Sequence, residues 1–109
     1  MIEVLGLKNC DKCRKAVKSL AELDQNVVLR DIRDDPIDET AFQLLFDLFS
    51  DELLNTRSTT WRTLSPDLRS QPALGLLQSH PVLMKRPIIR APNKVTLGWN
   101  QNVKAQWGL

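Results

Sequence analysis

Ile2-Glu3-Val4-Leu5-Gly6-Leu7-Lys8-Asn9-Cys10-Asp11-Lys12-Cys13-Arg14-Lys15-Ala16-Val17 is the stretch from which the rest of the chain is read. Its first half is a short apolar run closed at Gly6, the pattern of a buried strand. Its second half opens a helix with Asn9 or Cys10 as cap, and Cys13, Ala16, Val17, Leu20 and Leu23 recur along it as one apolar stripe. The only two cysteines therefore fall at a strand-to-helix turn, spaced Cys-x-x-Cys. A thiolate there lies near the positive end of the helix dipole and near unpaired backbone N–H groups, and both lower its pKa. In a βα setting that spacing reads as a redox site. Cys10 belongs to the exposed first turn and is the better nucleophile. Cys13 points with the core residues and fits a resolving thiol and a buried structural cysteine nearly equally. Lys12, Arg14, Lys15 and Lys18 lie mostly off the stripe and read as a solvated helix face.

Outward from that stretch, Asp24-Gln25-Asn26 is a turn and residues 27–32 form a second strand. Arg33-Asp34-Asp35-Pro36 is a polar connection. Asp38 caps the next helix, Ile37 can meet Phe42 as a hydrophobic staple, and Phe42, Leu45, Phe46 and Phe49 form the buried face with Leu44 and Leu48 beside it. Residues 50–79 show short helices and loops without strands; Ser65-Pro66 is a cap with proline at the first helical position, and Pro72 opens another helix. Residues 88–90 read as a third strand, Pro92-Asn93-Lys94 as a hairpin turn, residues 95–97 as a fourth strand, and residues 100–107 as a terminal helix carrying Val103 and Trp107 inward. Trp61 and Trp99, like Trp107, read as core or edge-cluster residues.

The order is β-α-β, a helical insertion at about 37–80, then β-β-α. A β-α-β unit gives two parallel strands and a hairpin adds two antiparallel ones, so an α/β, thioredoxin-like fold with a mixed four-stranded sheet is expected. The 109 residues make one domain, 1–109. Apolar content of 42% and charged content of 26% are those of an ordinary globular protein, and a net charge of +2 argues for no nucleic-acid partner. Neither a signal peptide nor an apolar run of membrane-spanning length is read, so the expected location is cytoplasmic, with the cysteines mostly as thiols. Two cysteines and one histidine, His80, do not make a zinc site, and no metal is expected. His80, before Pro81, reads as the end of a helix rather than a base.

Three segments together resemble arsenate reductase-like proteins of the ArsC, Spx and YffB type, over nearly the whole length. They are Gly6-Leu7-Lys8-Asn9-Cys10, Leu53-Leu54-Asn55-Thr56-Arg57-Ser58-Thr59-Thr60-Trp61-Arg62 and His80-Pro81-Val82-Leu83-Met84-Lys85-Arg86-Pro87-Ile88-Ile89. The middle one is most similar to the YffB branch. The resemblance implies that Cys10 is the nucleophile and that Arg57 and Arg86 hold an oxyanion and the thiolate close together, as guanidinium groups do through charge-assisted hydrogen bonds. With no second histidine in the chain, activation of Cys10 would come from the helix end and from Arg86, Arg57 or Lys8.

Two departures from the glutathione-linked arsenate reductases stand out. Their histidine just before the cysteine corresponds to about Gly6, and their third arginine to Gly98. The implied activity is a thiol-disulfide reductase acting on a disulfide, a glutathione mixed disulfide or an oxyanion such as arsenate. No tightly bound cofactor is implied; glutathione is a co-substrate, met by Lys8, Asn9 and Pro87, with either glutathione or Cys13 resolving the adduct. Thioredoxin or glutaredoxin is the other candidate reductant. The alternative is an Spx-like regulator that binds RNA polymerase, with Cys10 and Cys13 as its redox switch. A monomer with no direct nucleic-acid or membrane contact is expected in either case.

Overall fold

β1 (Ile2–Gly6) is an inner strand of a mixed four-stranded sheet of order β2-β1-β3-β4. β2 (Val27–Asp31) lies parallel to it, from Ile2 opposite Val27 to Gly6 opposite Asp31. β3 (Ile88–Ala91) lies antiparallel on the other side, with Leu5 opposite Ile88, and β4 (Lys94–Leu97) completes the hairpin. The computed structural model describes residues 1–23 and 26–109, so the turn expected at Asp24-Gln25-Asn26 lies largely outside the described residues. The parallel pair requires a crossover, which α1 (Asp11–Ala21) supplies.

The chain folds as two compact units, Met1–Asp35 with Arg86–Leu109, and Pro36–Lys85. In the first, the two-residue period of the strands turns Ile2, Val4 and Ile89 to one face, where Ala16 and Leu20 of α1 and Val103 of α6 (Gln101–Gln106) cover them. Val4, Ala16, Leu20 and Ile89 are wholly buried. Each buried aliphatic side chain of leucine size contributes roughly 1.5–3 kcal/mol to folding. Leu23, expected on the same stripe, lies past the last residue of α1 and is 55% exposed. The helix stops before the stripe can bring it round. On the opposite face Glu3 sits between two arginines, accepting from Arg90 Nε at 2.6 Å and lying 3.9 Å from Arg30 Nη1.

The terminal helix is fastened to this unit by polar contacts as well. Asn100 caps it by accepting from the Val103 N–H at 2.9 Å, and Trp107 Nε1 donates to the buried Thr96 hydroxyl at 2.8 Å. The Lys94 ammonium lies 4.7 Å from the centre of the Trp107 ring, a cation–π contact. Trp99 and Trp107 pack at the edge of the core, as their place in the sequence suggests.

The second unit holds α2 (Glu39–Phe49), α3 (Thr59–Thr63), α4 (Pro66–Arg69) and α5 (Ala73–Ser79). Asp38 caps α2 by accepting from the Ala41 N–H at 2.8 Å, and Ile37 and Phe42 are both buried, as a staple requires. Ser58 and Ser65 cap α3 and α4 in the same manner. Phe46 and Phe49, expected on the buried face, are only half-buried, and Leu44 and Leu48 beside that face are 60% and 61% exposed. With Phe42 and Leu45 turned inward against α5, the helical period carries positions 44 and 48 to the outer side. Among the described residues no helix is long and apolar enough to cross a membrane.

Candidate active site around Cys10

Cys10 is the N-cap of α1, with extended backbone angles of −87° and 122°. The turn at residues 7–10 is closed by the Cys10 N–H donating to the Leu7 carbonyl at 3.1 Å, and the helix begins as the Arg14 N–H donates to the Cys10 carbonyl at 3.0 Å. This places the half-buried sulfur over the first turn, where N–H groups lack helical partners. Partial burial acts to raise the Cys10 thiol and is the largest single influence. The Cys13 backbone N–H, the Cys13 thiol and the Arg86 guanidinium act the other way, and together they hold it below its ordinary value.

Cys13 is its opposite. It is wholly buried, and burial pushes its thiol up to about 12, with the neighbouring Cys10 sulfur adding to the rise against the Leu7 N–H and Arg86. At neutral pH it is an S–H group. Its sulfur rests against Gly6: a Cβ added there would collide with Cys13 Sγ and lie 3.2 Å from its Cβ. Both cysteines are free thiols.

Arg86 reaches Cys10 from the segment that enters β3. The peptide bond between Arg86 and Pro87 is cis, and the Pro87 ring is buried. The Pro87 carbonyl accepts from the Gly98 N–H at 2.8 Å, joining both ends of the hairpin behind Arg86. Lys8 and Asn9 are exposed in the turn before Cys10. Lys8 pairs with Asp34 at 2.8 Å, and Asn9 Oδ1 lies 3.4 Å from Arg33 Nη2.

One residue at this site escaped the sequence reading. Asp31, the last residue of β2, is a buried carboxylate that accepts from the Lys8 N–H and the Arg33 N–H, each at 2.9 Å, and from the Arg33 guanidinium at 3.2 Å. The Arg33 guanidinium, with the Lys8 N–H second, holds its pKa well below the usual carboxylate range. The available signal was a carboxylate inside the strand run from Val27 to Ile32.

Arg57 belongs to the second unit. It is exposed, in a turn where Asn55 Oδ1 accepts the Arg57 N–H at 3.0 Å and the Ser58 hydroxyl donates to the Asn55 carbonyl at 3.2 Å. Residues 53–55 are held by backbone bonds from the Lys85 N–H to the Leu53 carbonyl at 2.7 Å and from the Asn55 N–H to the Leu83 carbonyl at 2.8 Å. Among the described residues Arg57 makes no ion pair, neither to Asp51 nor to Glu52. His80 ends α5, its N–H donating to the Leu76 carbonyl at 2.7 Å. Lys12, Arg14, Lys15 and Lys18 are all exposed, with Arg14 and Lys15 beside Asp11 at 3.4 and 3.7 Å, contacts worth little at a surface.

A thiol held below its ordinary value at the first strand-to-helix turn, with Arg86 beside it ahead of the cis Pro87, is the setting in which the comparisons with known proteins are read. Residues 5–106 match the sequence model of the ArsC family. The chain belongs to that family. An uncharacterized protein of Haemophilus influenzae is 40% identical over 106 residues, covering 93% of each chain. The global transcriptional regulator Spx of Listeria innocua is 31% identical over 108 residues, covering 94% of this chain and 82% of that one. Among solved structures the YFFB protein superposes with a TM-score of 0.84 at 20% identity over 97% of each chain, a likeness of fold.

As an ArsC-family member the protein has physical reasons for both departures noted above. An imidazole at position 6 cannot coexist with the Cys13 sulfur, which fills that space. Position 98 has a φ of +86°, a left-handed conformation in which glycine is at ease and arginine is strained.

Proposed function

We propose that the protein is a cytoplasmic thiol-disulfide reductase of the ArsC/YffB kind, with Cys10 as nucleophile and glutathione as reductant. The observation that carries this reading is the unequal pair: Cys10 lowered by the Cys13 N–H, the Cys13 thiol and Arg86 against its burial, and Cys13 held as a neutral thiol. The Cys10 thiolate attacks the glutathione sulfur of a mixed disulfide; the Cys10–sulfur bond forms as the disulfide breaks, and the released thiolate takes a proton from solvent. A glutathione thiolate then attacks the Cys10 adduct, regenerating the Cys10 thiolate and leaving as glutathione disulfide. The negative charge returns to Cys10 beside Arg86 at the end of each cycle. Resolution by Cys13 is the slower route, since attack needs its thiolate and burial opposes that form. Lys8 and Asn9 are exposed next to the sulfur and are the proposed contacts for glutathione, with Pro87 shaping the opposite side. Disulfides are favoured over arsenate because positions 6 and 98 lack the imidazole and the arginine of the arsenate reductases.

The test is turnover of a glutathionylated peptide and of arsenate, each coupled to glutathione oxidation. Cys10→Ser is expected to abolish turnover and Cys13→Ser to retain most of it. The second reading, a regulator that binds RNA polymerase, is favoured by the similarity to Spx across 94% of this chain. A stable complex with polymerase, together with no turnover of either substrate, would replace the first reading with the second.

A further inference from the structure

We propose that Asp31 is a positioning residue for Cys10: its carboxylate hangs the turn at residues 7–10 from the end of β2 and so sets where the Cys10 sulfur meets its partners. The geometry is specific to that task. The Asp31 side chain is 3% exposed, and each of its oxygens takes one backbone N–H at 2.9 Å, Oδ2 from Lys8 and Oδ1 from Arg33. Its Oδ2 also lies 3.2 Å from Arg33 Nη2, and that same nitrogen is 3.4 Å from Asn9 Oδ1. Residues 8 and 9, the two immediately before Cys10, are thus both tied to one buried carboxylate, Lys8 directly and Asn9 through Arg33. A second tie joins Lys8 Nζ to Asp34 at 2.8 Å.

The turn leads from there to the sulfur. Leu7 receives the Cys10 N–H at 3.1 Å and offers its own N–H towards the Cys13 sulfur, so a shift of residues 7–9 displaces both thiols relative to Arg86. Asp31 is far too enclosed to touch a substrate; its effect must pass through the backbone. Without it the Lys8 and Arg33 N–H groups lose a buried acceptor, and the turn is free to relax towards water.

Positioning and simple electrostatics predict opposite signs, which makes the idea testable. A carboxylate near a thiolate disfavours it by charge alone, so removing Asp31 as a mere charge would lower the Cys10 thiol. Removing it as a brace raises the thiol, because the Cys13 N–H and Arg86 fall out of line. The proposal rests on the reading of Cys10 as an activated thiol, and one experiment separates the two. Cys10 alkylation by iodoacetamide is followed against pH by peptide mass spectrometry in the wild type, Asp31→Ala and Asp31→Asn. The expected result is a wild-type midpoint below the free-cysteine value of about 8.5, with Cys10 alkylation at pH 7 slowed roughly three- to tenfold in Asp31→Ala and by less in Asp31→Asn. Asparagine keeps an oxygen for the Lys8 N–H but sets an NH2 group against Arg33. Should Asp31→Ala fail to fold, Asp31→Asn decides alone: slower supports the brace, and unchanged or faster overturns it. A wild-type midpoint below 8.5 with Asp31→Ala unchanged or faster overturns the brace and leaves the activated thiol standing. A wild-type midpoint at 8.5 or above overturns both.

Discussion

Gly6→Ala should destabilise the protein, and Cys13→Ala should undo that effect. A Cβ at position 6 would run into Cys13 Sγ, and Cys13 is wholly buried. Overpacking of this kind costs about 1–3 kcal/mol. Gly6 has no left-handed backbone to strain, so alanine also brings the usual gain of about 0.4–1 kcal/mol from a less disordered unfolded chain. The single variant should therefore lose about 1–2 kcal/mol, or roughly 4–8 °C in Tm. Cys13→Ala alone removes a buried sulfur and should cost about 1–2 kcal/mol. In the double variant the collision is gone while the alanine gain remains, so it should be no less stable than Cys13→Ala by itself. The coupling between the two sites is about 1.5–3 kcal/mol. Urea denaturation of the four proteins, followed by the fluorescence of the three tryptophans, measures it directly. Additivity within about 0.5 kcal/mol, or a neutral Gly6→Ala, would refute the packing of Cys13 on Gly6.

Three further outcomes follow from the contacts. Arg86→Met should raise the alkylation midpoint of Cys10 by about one unit, because a guanidinium that favours the thiolate is lost; an unchanged midpoint would remove Arg86 from the activation of Cys10. Asp31, held below the ordinary carboxylate range, stabilises the fold above its unfolded-state value of about 3.9, and that stability is lost as pH falls through its folded-state value. Stability measured from pH 6 down to pH 2 should accordingly fall less steeply in Asp31→Asn than in the wild type, and parallel curves would contradict the assignment. Trp107→Phe should cost about 1–3 kcal/mol by leaving the buried Thr96 hydroxyl without its indole donor, and Thr96→Val in the same chain should recover part of the loss in urea denaturation.

The mixed sheet was legible because β1, α1 and the β3–β4 hairpin each carry a local signal that agrees with their burial: the apolar run into Gly6, the stripe through Ala16 and Leu20, and the turn at Pro92-Asn93. Two caps were legible for the same reason, since Asp38 and Ser65 act on N–H groups only three residues away; Ser58 and Asn100 cap in the same way and were not read. What the chain does not reveal locally is which side of a helix its neighbours cover. Phe46 and Phe49 share the helical stripe of Phe42 and Leu45, yet only Phe42 and Leu45 are fully covered. The inequality of Cys10 and Cys13 was readable from helical spacing. Asp31 was not, because its partner Lys8 lies more than twenty residues away and meets it only when β2 pairs with β1.

The two thiols also explain how one site can resemble both an enzyme and a switch. In the reduced protein the Cys13 sulfur fills the hollow over Gly6, so it is at once a hydrogen-bond donor to Cys10 and part of the packing between β1 and α1. A bond to Cys10 would draw that sulfur towards the exposed first turn and empty the hollow, and a void of that size costs stability. Packing therefore favours the dithiol state, and burial slows the internal attack that would form the disulfide. An enzyme served by glutathione never needs that step, since an external thiol clears Cys10. A regulator would use the same cost as its signal, because oxidation would loosen the helix that carries Lys12, Arg14, Lys15 and Lys18 on its outer face. Cys10 is thus the proposed reacting atom under either function, and Cys13, buried and raised, is an unequal partner to it.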